Sequence, residues 1–181
     1  MKNFLSISLL FLFAFQIPVT WEWFTSETGL FSVLTPGEMI EKVEKSETAV
    51  GELSYHTFYY QPEDDKDADN FLYMVSYCDY PEGSIHSDSL ELLKDFYDAT
   101  IETSVHSVKG ELFYQSDIKS GGYPGKIWRV NYGDNAAAIK TKAFLVKNRY
   151  YAVQTITLRD KSLNPSVDKF LDSFKIITGD E

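Results

Sequence analysis

A single helix-period stripe set among extended, aromatic segments narrows the folds open to this chain more than any motif in it. Phe31–Thr35 is a short strand-like run that Pro36-Gly37 closes as a turn. Glu38–Glu47 alternates weakly, with Met39 and Val43 among charges, and suits a surface strand. Leu53–Gln61 is rich in Tyr, Phe and Thr, which favour pleated structure. In Phe71–Tyr80 both alternating sets are largely apolar, so the spacing predicts a central strand covered on both faces.

The period then changes. Leu90, Leu93, Tyr97, Ile101, Val105 and Val108 recur at three- and four-residue steps, opposite Glu91, Lys94, Asp95, Asp98 and Glu102. That is an amphipathic helix with one solvated side. Ser87 or Asp88 is expected to cap it, and Gly110 to stop it. Glu111–Ile118 and Lys126–Tyr132 read as strands around the turn Gly121-Gly122-Tyr123-Pro124-Gly125. Ile139–Val146 and Tyr150–Leu158 read as a hairpin, with Asn148 in the left-handed conformation a tight turn demands. Asn164-Pro165 opens a last helix as cap and first residue, with Val167, Phe170, Leu171 and Phe174 as its stripe. Successive strands with two separate helices predict an α+β fold: a mainly antiparallel sheet with two helices packed on it. Strict β-α alternation is missing, which argues against a doubly wound nucleotide fold.

The N-terminus points to export. Lys2 precedes Phe4–Ile17, a run without charge broken only by Ser6, Ser8 and Gln16. It is short for a membrane span, which needs about 20 apolar residues, and has the flank of a secretory signal. Residues 1–20 are therefore expected to be a signal peptide and 21–181 a single domain, periplasmic or extracellular. Membrane association is expected only through an uncleaved signal segment. Cys78, the one cysteine, lies too far inside for a lipid anchor and has no partner for an internal disulfide. The whole chain carries −10; removing Lys2, the one charge in residues 1–20, leaves −11. That charge disfavours nucleic acid and anionic lipid, and admits cations or basic protein partners.

Several segments carry a family resemblance: Trp23-Phe24, Gly29-Leu30-Phe31-Ser32-Val33 and Pro36; Gly122-Tyr123-Pro124-Gly125; Arg149-Tyr150-Tyr151; and Phe170-Leu171-Asp172-Ser173-Phe174-Lys175. Together they resemble a group of small exported bacterial proteins of unknown function, similar in outline to the PsbP-like α/β/α sandwich. The resemblance covers most of residues 21–178. It implies that architecture and a non-enzymatic role, because known members of the fold act mainly by binding. It carries over no binding residue, since none matches position by position.

No catalytic, cofactor-binding or metal-ligating set emerges from the residues themselves. Asp65-x-Asp67-x-Asp69 imitates the start of a calcium loop but has Asn70 and Ser76 where a glycine and a bidentate Glu belong. His56, His86 and His106 form no zinc-type pair. Cys78 with His56 is the one nucleophile–base pairing the strands could bring together. Gly121–Gly125 lacks the lysine and helix of a phosphate loop. The tyrosines remain: Tyr55, Tyr59, Tyr60, Tyr73, Tyr77, Tyr150 and Tyr151 lie on strands, and alternation sends some to each face. Those that escape the core could line a contact surface for a protein or small ligand. The expected function is a non-catalytic binding or accessory protein of the cell envelope. The alternative is an enzyme whose site is assembled from distant residues such as His56 and Cys78.

Overall fold

A computed structural model describes residues 20–63 and 68–178. Residues 1–19 of the expected signal peptide and the first two aspartates of the Asp65–Asp69 loop lie outside the described residues. Ten strands and two helices follow one another: β1 (Glu22–Ser26), β2 (Phe31–Thr35), β3 (Ile40–Thr48), β4 (Gly51–Tyr60), β5 (Leu72–Asp79), α1 (Leu90–Ser107), β6 (Glu111–Ser120), β7 (Tyr123–Tyr132), β8 (Ala137–Val146), β9 (Arg149–Leu158), α2 (Pro165–Ser173) and β10 (Lys175–Ile176). The α+β reading holds, and every ladder is antiparallel.

Seven strands form the large sheet in the order β3-β4-β5-β9-β8-β7-β6, and β1-β2-β10 form a small one. One face of the large sheet meets the small sheet and α2. Phe31, Val33, Phe58, Tyr73, Val75, Tyr77, Phe144, Tyr151, Val153, Val167, Phe170, Leu171 and Phe174 are buried there. The other face meets α1, where Leu93, Tyr97 and Ile101 pack on Trp128, Val130, Ala143, Leu145 and Ala152. Leu93, Tyr97 and Ile101 of the helical stripe are thus core and Val105 and Val108 half-buried, while Glu91, Lys94, Asp95, Asp98 and Glu102 are exposed. Arg149 ties the two sheets together. Its Nε and Nη2 donate to Asp79 at 2.6 and 2.7 Å, and its Nη1 donates to the Thr28 carbonyl at 2.9 Å. The forked carboxylate holds its pKa above the ordinary arginine value.

Several local expectations change. Strand β1 was not legible: Glu22 and Trp23 are exposed and only Ser26 is buried, so no alternation marks it. Strand β5 is buried on the small-sheet side, but Leu72, Met74 and Ser76 stay half-exposed on the other. The reason is that α1 lies over β7–β9 and leaves that half of the face open. The α1 cap is Ser89, without a side-chain bond. Ser87 instead accepts from the Lys147 N–H at 3.2 Å, anchoring the β8–β9 turn. The helix ends with Lys109, not Gly110, in the left-handed region (φ 51°). The Lys109 and Gly110 N–H groups close back onto the His106 and Val105 carbonyls. Gly110 is required for another reason: a Cβ there would stand 2.6 Å from the Asn131 carbonyl.

The β8–β9 hairpin forms as expected, but Lys147 (φ 57°) takes the left-handed turn position. Asn148 donates from its side chain to the Tyr80 carbonyl. The β6–β7 turn is only Gly121-Gly122, both at positive φ, and Tyr123-Pro124-Gly125 already belong to β7. Asn164 caps α2 as read, accepting from the Val167 N–H at 3.0 Å.

Candidate functional site

Strand parity decides the Cys78–His56 question. Tyr55 pairs with Cys78 and His56 with Tyr77, so the His56 ring leaves the sheet on the side opposite the Cys78 thiol. His56 lies flat on Tyr77, with ring centroids 4.6 Å apart, and its Nδ1 is 3.1 Å from Glu41 Oε1. The two side chains do not meet as nucleophile and base, and the pairing expected of them is corrected by this geometry. His86 sits beside Asp88 and His106 beside Glu102, at opposite ends of α1. Among the described residues no three His, Cys, Asp or Glu side chains cluster as metal ligands. Asp69 is engaged structurally: its carboxylate accepts from Ser166 and its carbonyl from Thr157 and Asn164.

Cys78 is fully buried beside its register partner Tyr55 and near Tyr80. Burial first, then Asp79, pushes its thiol up to about 12. Burial also raises the hydroxyl pKa of Tyr73, Tyr80, Tyr97 and Tyr151. Groups whose folded pKa is raised stabilise the fold below their unfolded pKa and lose that contribution as pH climbs through the folded value. The ordinary values are 9.0 for the cysteine thiol and 10.0 for the tyrosines. Stability is therefore expected to hold from neutrality to about pH 9 and then to fall steeply toward pH 12. Melting temperatures across that range check it; a flat profile to pH 11 contradicts it. In the same titration a thiol reagent at pH 8 should label Cys78 only after denaturant is added.

The tyrosines divide cleanly. Tyr73, Tyr77 and Tyr151 are core, and the Tyr151 hydroxyl donates to the Gly29 carbonyl at 2.8 Å. Tyr59 and Tyr60 are only half-buried, at the end of β4, on opposite faces of the strand. With Ile40, Gln61, Pro62, Glu38 and Glu63 they line an open groove of about 970 Å³ at the sheet margin. The Tyr60 ring is tilted against that of Tyr73, centroids 6.2 Å apart, and lies over Gly37, where a Cβ would stand 2.2 Å from the ring. Pro36-Gly37 therefore does more than turn the chain: its glycine gives the ring its seat. Ile40, 56% exposed, adds an apolar side chain that the strand alternation alone did not single out.

The arrangement of sheets and helices has a counterpart among solved structures. The solution structure of cyanobacterial PsbP (CyanoP) from Synechocystis sp. PCC 6803 matches with a TM-score of 0.57, over 88% of this chain and 94% of that one, at 14% identity. The fold is PsbP-like. A Pseudomonas aeruginosa protein of unknown function, PA94, described as a putative regulator, covers 78% of this chain and 85% of its own at 9% identity. Its TM-score of 0.37 is too low to add to the PsbP-like assignment. No protein-family model matches the chain, and no curated protein matches it. Within this PsbP-like domain no described helix is long and apolar enough to cross a membrane.

Proposed function

We propose that this protein is a non-catalytic binding protein of the cell envelope that takes a basic, extended segment of a protein partner in the Tyr59–Tyr60 groove. The observation that carries this reading is the lining of the groove. Two half-exposed tyrosines, Ile40 and Pro62 offer apolar area, and Glu38 and Glu63 stand at its rim. Aromatic faces beside carboxylates favour Lys or Arg, through cation–π and ion-pair attraction together. The net charge of −11 after Lys2 is removed agrees in sign. That known members of the PsbP-like fold act mainly by binding lends the reading analogy only. Lys2 and the apolar run to Ile17 support export; N-terminal sequencing of the mature protein should find the first 20 or so residues removed, and intact Met1 would contradict it.

The groove is tested by placing a photo-crosslinking residue at Tyr59 and, as control, at Tyr132 on β7. Position 59 should capture a partner that position 132 does not. With that partner purified, Tyr59→Ala should weaken binding by about tenfold or more, with a nearly unchanged melting temperature. Equal capture at both positions, or unchanged affinity of Tyr59→Ala, sinks the assignment.

A further inference from the structure

A different part of the molecule carries a buried cation that forms no ion pair among the described residues. Lys126, Lys140, Lys142 and Arg149 are each largely covered, and each pairs with an aspartate: Asp117, Asp168, Asp172 and Asp79. Arg129 on β7 is the exception. It is 8% exposed, and among the described residues it makes one side-chain hydrogen bond, from Nε to Asn131 Oδ1 at 2.9 Å, and no ion pair. A buried guanidinium without a carboxylate is costly to keep. Burial, with Arg159 adding to it, lowers its pKa from the ordinary arginine value.

The surroundings are shaped. A register shift between Leu112 and Tyr114 makes Phe113 the extra residue of a bulge. Bulges re-aim a side chain, and here the Phe113 ring lies against Arg129, with the guanidinium carbon 4.8 Å from its centroid. Phe113 is itself 63% exposed, so its ring is available to a ligand. Arg129 and Phe113 line a cavity of about 650 Å³ with Ala136, Leu158, Arg159 and Asp160, among others. Asp160 is the one carboxylate among those lining residues, and it is exposed at the rim. In a domain with so large an acidic excess, two guanidiniums over one aspartate mark a local reversal of charge.

We propose that this pocket binds a small organic anion. Arg129 and Arg159 take its carboxylate or phosphate, and Phe113, Ala136 and Leu158 hold a planar apolar group. The Arg129 fork supplies bidentate geometry and the ring a stacking surface. A cavity of this size suits a ligand of a few tens of atoms. The site is remote in sequence from the Tyr59 groove and stands or falls independently of it.

The test is calorimetric titration of the full chain with phenyl phosphate and with inorganic phosphate. Phenyl phosphate should bind saturably and more tightly than phosphate. Arg129→Met should weaken it by about 10- to 100-fold, with a melting temperature at or above that of the unsubstituted protein, because an unpaired buried charge has been removed. Phe113→Ala, at an exposed position, should erase the preference for the aryl ligand and leave phosphate affinity alone. Arg159→Ala, also exposed, should weaken both ligands, and these two variants decide the matter if Met at 129 unfolds the chain. Absence of saturable binding to about 10 mM, or binding by Arg129→Met and Arg159→Ala equal to that of the unsubstituted protein, overturns the proposal.

Discussion

Phe31→Ala should destabilise this protein by about 3–5 kcal/mol. Phe31 is fully buried where the small sheet meets the large one. Its ring lies 5.5 Å from Phe58, 5.7 Å from Phe174, 6.0 Å from Phe24 and 6.4 Å from Tyr151. These partners come from β4, the end of α2, β1 and β9, so the ring is the common contact of its neighbouring strand and three segments farther along the chain. Aromatic side chains this enclosed lose both transfer energy and edge-to-face contacts when truncated, and the surrounding rings cannot collapse into the space. With one domain of this size the melting temperature should fall by roughly 10 °C. Phe31→Leu should cost clearly less, since it leaves a smaller void. Chemical denaturation measures both; a loss below about 1 kcal/mol for Phe31→Ala would mean that the small sheet is not docked as described.

Trp128→Ala should cost a similar 3–5 kcal/mol, from the opposite face. Trp128 is 1% exposed beneath α1, and its Nε1 donates to Ser104 Oγ at 3.1 Å. Ser104 in turn donates to the Ile101 carbonyl at 2.7 Å, so the indole is bonded to the helix as well as packed under it. The two contributions separate. Trp128→Phe keeps most of the apolar area and should lose about 1 kcal/mol plus the cost of the smaller ring. Ser104→Ala removes the same bond from the other side. A double-mutant cycle should return a coupling of about 0.5–1.5 kcal/mol. Additive losses would show that the bond contributes nothing and that α1 is held by packing alone.

Both residues lie in segments that read as strands, but neither segment shows how deeply its side chains are buried. Phe31 lies in a five-residue run, and nothing in that run says which sheet it joins. Trp128 alternates with Val130 and Tyr132, which places it on one face without saying what covers that face. The α1 stripe was clearer, because each of Leu93, Tyr97 and Ile101 is a helical turn from the next and all three are buried. Turns were read half correctly. Gly121-Gly122 and the two-residue β8–β9 connection stand where composition put them, but lysines at 109 and 147 took left-handed positions that Gly110 and Asn148 had seemed suited to. The cost of a positive φ at lysine is small enough for surrounding hydrogen bonds to override it.

The sites were less legible than the fold. Tyr59 and Tyr60 were named among seven tyrosines, but the groove depends on Ile40, Glu38 and Glu63, which only meet them through the β3–β4 pairing and the turn before it. Arg129 was not singled out at all: Trp128-Arg129-Val130 looks like an apolar–polar–apolar strand with its arginine in solvent. In a lone sheet it would be. The bulge at Phe113 sets a ring against it instead, and Arg159 lines the same pocket.

By itself the sequence determined the elements whose signal is complete within ten or twenty residues: the α1 stripe, the Asn164-Pro165 helix start and the glycine turn. Periodicity and capping act between neighbours on one element, so a short window contains the whole cause. Tertiary structure alone decided that β5 pairs with β9 across α1 and two intervening hairpins. It also decided that α1 covers only the β7–β9 half of its face, and that one arginine is buried without a counter-ion among the described residues. Those outcomes come from competition among all the apolar faces for a limited set of covers, and no local stretch of the chain contains that competition.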